Sequence, residues 1–95
     1  MMSPMEIAKD HPSFAGHFPK FPVLPGAVLL DEALQIIQRE RRLDLSLWHV
    51  ASIKFLDSVR PGDVVQLEHA APDGGLIRFT IRAENRIVAT GSLAA

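Results

Sequence analysis

The amino-acid sequence predicts an α+β domain in which an antiparallel sheet wraps one long central helix. Three observations carry that expectation. Residues 26–41 form a helical run with few polar positions, four strand-like stretches follow it, and the turn signals between those stretches suit a meander. A helix that is apolar nearly all round is buried only if the sheet curls about it. Ninety-five residues make one such domain, residues 1–95, whose own core is marginal, so burial against a partner is expected.

The elements follow in order. Met5 to Ala8 reads as a short first strand, and Asp10-His11-Pro12-Ser13 as turn chemistry leading into a loop around His17. Pro25 and Gly26 suit the entry of the helix, which runs to Arg41; Arg39, Arg41 and Arg42 at its end complement the negative pole of its dipole. Leu47 to Leu56, rich in Val, Ile, Trp and Phe, reads as a long strand ending at the turn Arg60-Pro61-Gly62-Asp63. Val64 to His69 is the next strand, and Ala71-Pro72-Asp73-Gly74-Gly75 the next turn. Leu76 to Ala83 alternates, with Ile77, Phe79 and Ile81 on one face and Arg78, Thr80 and Arg82 on the other. Glu84-Asn85-Arg86 connects tightly to a last strand, Ile87 to Leu93, in which Gly91 marks a bulge or a close approach.

Composition excludes several functions. The chain has no cysteine, so disulfides and thiolate chemistry are absent, and its four histidines show no zinc-like spacing; no metal and no cofactor are expected. A net charge of -1 gives no general attraction to nucleic acid. Although 47% of residues are hydrophobic, Lys20, Asp31 and Glu32 interrupt the longest apolar run, so no membrane span is expected. Met1 to Asp10 carries no leader pattern, which makes the cytoplasm the expected address.

The chemistry concentrates in the run from Gly16 to Gln35, Gly-His-Phe-Pro-Lys-Phe-Pro-Val-Leu-Pro-Gly-Ala-Val-Leu-Leu-Asp-Glu-Ala-Leu-Gln. Pro19, Pro22 and Pro25 stiffen the loop that carries His17, which makes it a positioning element. Asp31 is a carboxylate inside an otherwise apolar helix, and that placement requires a function. The segment resembles the signature of the β-hydroxyacyl-ACP dehydratases of the FabA and FabZ type. In that pattern a Gly-His-Phe-Pro loop precedes Pro-Val/Ile, Pro-Gly and an Asp or Glu on the following helix. The resemblance places the catalytic histidine on His17, the catalytic acid on Asp31 and the family's glutamine on Gln35. Val59-Arg60-Pro61-Gly62-Asp63 is similar to the family's later turn, so the likeness spans roughly residues 10 to 70. It implies the hotdog fold, in agreement with the pattern of elements, and dimers formed through sheets and helices. The short stretch before His17 is similar to that of specialised-pathway dehydratases such as those of aryl polyene synthesis.

Dehydration of a 3-hydroxyacyl thioester needs a base for the proton beside the carbonyl, an acid for the departing hydroxyl, and a donor for enolate-like charge. His17 suits the first role, because imidazole titrates near neutrality. Asp31 suits the second only while neutral, which an apolar surrounding from Val28, Leu30 and Leu34 favours. The amide of Gly26, at the positive end of the helix, suits the third, and the resemblance implies it too. Gln35, four residues beyond Asp31, is in reach to orient the acid. On an ideal helix Gly26 and Asp31 are separated by roughly 140° of rotation and about 7.5 Å of rise, so they face different ways. A dimer resolves this by taking His17 and Gly26 from one chain and Asp31 from the other, an arrangement the family shares; a homodimer or higher even oligomer is therefore expected.

The partner implied is an acyl carrier protein with a phosphopantetheine-linked acyl chain. Lys20, Arg39, Arg41 and Arg42, with Arg60, are the basic candidates to receive it, and Pro25 is a further substrate-binding candidate. Glu32 points about 100° away from Asp31 and does not form a carboxylate pair with it. His11, His49 and His69 read as surface or strand residues, and Trp48 as a core or interface aromatic. Two alternatives remain open on the residues, a hotdog acyl thioesterase and a non-catalytic partner subunit of a heteromeric dehydratase.

Overall fold

The structure, a computed structural model, describes residues 1–7 and 24–95. Ala8 of the expected first strand, His11, and the loop of His17 and Lys20 lie outside the described residues. Five antiparallel strands, β1 (Met2–Met5), β2 (His49–Phe55), β3 (Val65–His69), β4 (Leu76–Ala83) and β5 (Arg86–Ala94), form one sheet in the order β1-β3-β4-β5-β2. Helix α1 (Gly26–Arg41) lies against one face of it.

The core is the contact of that face with the helix. Leu29, Ala33, Ile36 and Ile37 come from α1, and Leu67, Ile77, Phe79, Ile81, Val88 and Leu93 come from the sheet. The helical set recurs at a spacing of three and four residues and the strand set at two, as one-sided burial requires. The expectation of a helix apolar nearly all round is corrected here. Five strands cover one side of α1, so Val28, Leu30 and Leu34 are half-buried, and Ala27, Asp31 and Gln35 are exposed.

The helix has its expected limits. Pro25 caps it with φ -58°, and Arg42 ends it in the left-handed region at φ 54°, its N–H donating to the carbonyl of Gln38. β1 begins earlier than the expected Met5, because Ser3 and Met5 point inward while Pro4 faces out of an edge strand, where a missing N–H costs the ladder little. The expected strand from Leu47 to Leu56 is shorter: Asp44 accepts the Ser46 N–H at 3.0 Å and caps a 3₁₀ turn at Leu45–Leu47, leaving His49–Phe55 as β2. β4 is as expected, with Ile77, Phe79 and Ile81 buried. Gly91 marks a close approach; the register shifts lie between Val50 and Ser52 and between Ile81 and Arg82. A Cβ on Gly91 would stand 2.6 Å from the Phe79 ring and 2.7 Å from the Ser52 carbonyl oxygen.

Two features position the site. β2 is an edge strand that, among the described residues, pairs only with β5, and nearly all its residues are exposed. From it the segment 56–64, here called the strap, crosses the end of the sheet to reach β3 on the far side of β4 and β5. Midway it passes the entry of α1, where the Val59 carbonyl accepts the Leu24 N–H at 2.9 Å. The turn within it has Pro61 followed by Gly62 at φ 88°, a conformation that favours glycine.

Candidate active site

The entry of α1 forms one wall of an open cleft of about 460 Å³, whose apolar lining includes Leu24, Pro25, Leu29 and Phe55 and whose polar lining is Asp57 and Ser58. Gly26 lies in this cleft against Phe55: a Cβ there would meet the Phe55 ring at 2.8 Å and displace it. The first N–H groups of a helix have no partner within it and sit at the positive end of its dipole, so the Gly26 amide has the chemistry to hold developing negative charge. Val28 and Leu29 already donate to the Pro25 carbonyl, each at 3.1 Å.

Asp31 and Gln35 meet on the exposed side of α1, where the Gln35 Nε2 donates to Asp31 Oδ2 at 2.8 Å. The four-residue spacing that brings them together also fixes which way the carboxylate points. Asp31 is not among the residues lining the Gly26 cleft, and Gln35 lines a second cleft between α1 and β1 with Glu32 and Arg39. Among the described residues the apolar surrounding expected for Asp31 is absent, because its neighbours Val28, Leu30 and Leu34 are themselves only half-covered. The structure thus joins Asp31 to Gln35 and Pro25 to Gly26, and keeps the two pairs apart. His17 and Lys20 lie outside the described residues.

Of the three arginines at the end of α1, Arg39 and Arg42 are exposed. Arg41 is engaged elsewhere: its Nε donates to Nδ1 of His69 at 3.1 Å and its Nη2 to the His69 carbonyl at 3.1 Å. This removes Arg41 from the expected docking patch. His69 itself, read from the sequence as a surface or strand residue, lies on a strand but is buried, 1% exposed, which corrects the surface reading. With Nδ1 accepting from Arg41, the ring proton belongs on Nε2, which faces Glu40 Oε1 at 2.8 Å. Glu40 also accepts the Ser3 hydroxyl, at 2.6 and 2.7 Å. Hydrogen bonds from Ser3 and then His69 hold the Glu40 carboxyl below its usual range. The signal for this cluster was present in the alternation Val65, Leu67, His69, which turns all three inward.

Arg86 forms the second polar cluster. Its Nη2 donates to Asp63 Oδ2 at 2.7 Å and to the Ser58 carbonyl at 2.9 Å, and its Nε stands 2.9 Å from Asp57 Oδ2 as an ion pair off the N–H direction. Burial pushes the Asp63 carboxyl up, but the Arg60 N–H and the Arg86 guanidinium outweigh it and hold the group below its usual range. Nothing in the sequence distinguishes Arg86 from a surface arginine. Among the described residues, no group of three His, Asp or Glu side chains is placed to hold a metal, and no helix is long and apolar enough to cross a membrane.

A family model described as ApeI-like, the ApeI dehydratase, matches residues 1–92. Among curated proteins the chain is similar to the 3-hydroxyacyl-[acyl-carrier-protein] dehydratase FabZ of Chlamydia caviae, 31% identical over 70 residues that make 64% of this chain and 46% of that protein. The corresponding enzyme of Chlamydia pneumoniae is 28% identical over 100 residues, 92% of this chain and 65% of that protein. The chain therefore spans about half to two-thirds of the length of these relatives. Among solved structures it resembles the dehydratase heterocomplex ApeI:P from Xenorhabdus doucetiae, with a TM-score of 0.78 and 23% identity over 98% of this chain and 83% of that one. A thioesterase from Thermus thermophilus, solved with coenzyme A and Zn, superimposes with a TM-score of 0.61 and 17% identity over 98% of this chain and 76% of that one. These structural likenesses establish the hotdog fold.

Proposed function

Because the chain belongs to the ApeI-like dehydratase family, we propose that it dehydrates 3-hydroxyacyl thioesters on an acyl carrier protein to trans-2-enoyl thioesters. The observation that carries this reading is the helix entry at Pro25-Gly26, open to a cleft, on the same helix as an acid oriented by Gln35. In the proposed reaction His17 removes the proton from the carbon beside the carbonyl, and the electron pair moves toward the carbonyl oxygen. The Gly26 amide stabilises that oxygen, a contribution of roughly 10²–10³ in rate for one such donor. Asp31, protonated, passes its proton to the 3-hydroxyl, which leaves as water as the double bond forms. No metal or cofactor enters these steps.

The separation of Gly26 from Asp31 within one chain supports a site shared between two chains, with His17 and Gly26 from one and Asp31 from the other. Cover by the second chain supplies the water-poor surrounding in which a carboxyl stays protonated. The second chain is either a copy of this one or, given the neighbour solved as a heterocomplex, a second hotdog chain. Arg39 and Arg42, with Lys20, are the basic groups proposed to receive the carrier protein, in fatty-acid or specialised acyl synthesis in the cytoplasm.

Hydration of a crotonyl or longer enoyl thioester, followed at the enoyl absorbance, tests this. Activity in the wild type that falls at least about a hundredfold in His17→Ala and in Asp31→Asn is the expected result. Activity that appears only on adding a second hotdog chain assigns this one to the partner-dependent form. Thioester hydrolysis in place of hydration moves the assignment to a thioesterase, the activity named for one structural neighbour.

A further inference from the structure

We infer that Arg86 is a positioning residue for the Gly26 amide, acting through the strap that joins β2 to β3. The inference rests on the dehydratase reading for its catalytic consequence and on contacts alone for its structural one. Arg86 opens β5, yet its guanidinium reaches the strap near both ends: Ser58 O at 2.9 Å and Asp57 Oδ2 at 2.9 Å on one side, Asp63 Oδ2 at 2.7 Å on the other. Asp63 closes the same loop on itself by accepting the Arg60 N–H at 2.9 Å and donating its own N–H to the Arg60 carbonyl at 3.1 Å. Between the clasped ends lies Val59, 1% exposed, whose carbonyl accepts the Leu24 N–H at 2.9 Å.

From Leu24 the path to the reacting group is short and stiff. Leu24 is buried, Pro25 has its φ locked by its ring, and Gly26 follows. The strap reaches Gly26 from the opposite side as well, because Phe55, at the end of β2 where the strap begins, places its ring where a Gly26 Cβ would be. The cation thus fixes, through Ser58, Val59 and Leu24, the backbone that leads into the amide. Its loss leaves Asp57 and Asp63 with no guanidinium between them, and their repulsion spreads the strap. A shift of this kind carries Val59 O with it, and even ~1 Å of misplacement can cost about a hundredfold in a reaction that depends on orientation.

The test compares Arg86→Ala and Arg86→Lys with the wild-type chain, with two readouts. In amide NMR spectra, the Leu24, Gly26 and Val59 signals are expected to move in R86A while those of Ile37 and Leu67 stay, and millimolar guanidinium ion to return them. In enoyl-thioester hydration, kcat is expected to fall about tenfold in R86A with KM within about twofold, to be restored by guanidinium but not by urea, and to be intermediate in R86K. Leu24 and Gly26 amides unmoved in folded R86A overturn the inference whatever the activity. Amides that move in a chain whose wild type hydrates no enoyl thioester, alone or with a second hotdog chain, remove the dehydratase reading and leave the clasp standing. If R86A does not fold, Asp63→Asn, which keeps the contacts of Arg86 with Ser58 and Asp57, carries the same amide test.

Discussion

His69 and Glu40 show how much a single residue's role depends on the two or three atoms around it. A buried imidazole between an arginine and a carboxylate has both ring nitrogens satisfied, and removing either neighbour leaves a buried ring nitrogen without a partner, at a cost of about 1–3 kcal/mol. Glu40, accepting from Ser3 and His69, ties β1 to the end of α1. Its carboxyl is held below the ordinary range, so between the two values the unfolded chain binds more protons than the folded one. The stability this contributes is present above the unfolded value and lost as pH falls through the folded one. Urea midpoints measured from pH 6 down to about 3 should therefore fall more steeply in the wild type than in Glu40→Gln. Equal slopes would remove Glu40 as a source of the acid dependence. Asp31 and Gln35 were legible as a pair because a helix fixes what lies four residues on. Arg86 was not, since its partners come from a strap whose path no local pattern records.

At the scale of elements the two close-packed glycines make contrasting demands. Gly91 faces a buried ring and a backbone carbonyl on the neighbouring strand, neither of which can retreat without breaking the sheet. Gly91→Ala should cost about 1–3 kcal/mol of stability, read from the urea midpoint. Gly26 meets the ring of Phe55, which is 47% exposed and free to swing outward. Gly26→Ala should therefore cost less than about 1 kcal/mol and still depress hydration activity, because the displaced ring is part of the cleft wall. The reverse order of stability losses would contradict this account. The helix and β4 were legible to the residue because period and caps coincide there. β1 was displaced in the reading because Ser3-Pro4 has the look of a turn, and only an edge position lets Pro4 into a strand. β2 was read too long at its start because Leu47, the last residue of the capped 3₁₀ turn, and Trp48 have the composition of a strand.

For the whole molecule, the sheet wraps one side of its helix, and among the described residues nothing covers the other. The exposed stripe of Ala27, Asp31 and Gln35 and the uncovered strand β2 are what a second chain would cover. A chain of this size buries little when alone, so its melting temperature and specific activity should both rise with protein concentration across about a hundredfold range. Concentration-independent values in a chain that sediments as a monomer would exclude a shared site between copies. Length and composition raised the expectation of a partner; which faces one would cover was not legible, because that depends on how far five strands can curl. Among the described residues the outer side of β2 is unpaired. A strand with an unpaired row of amides and carbonyls recruits any other strand that reaches it. If the proposed second chain is what covers this edge, copies made in excess of it carry an open strand and are prone to aggregate.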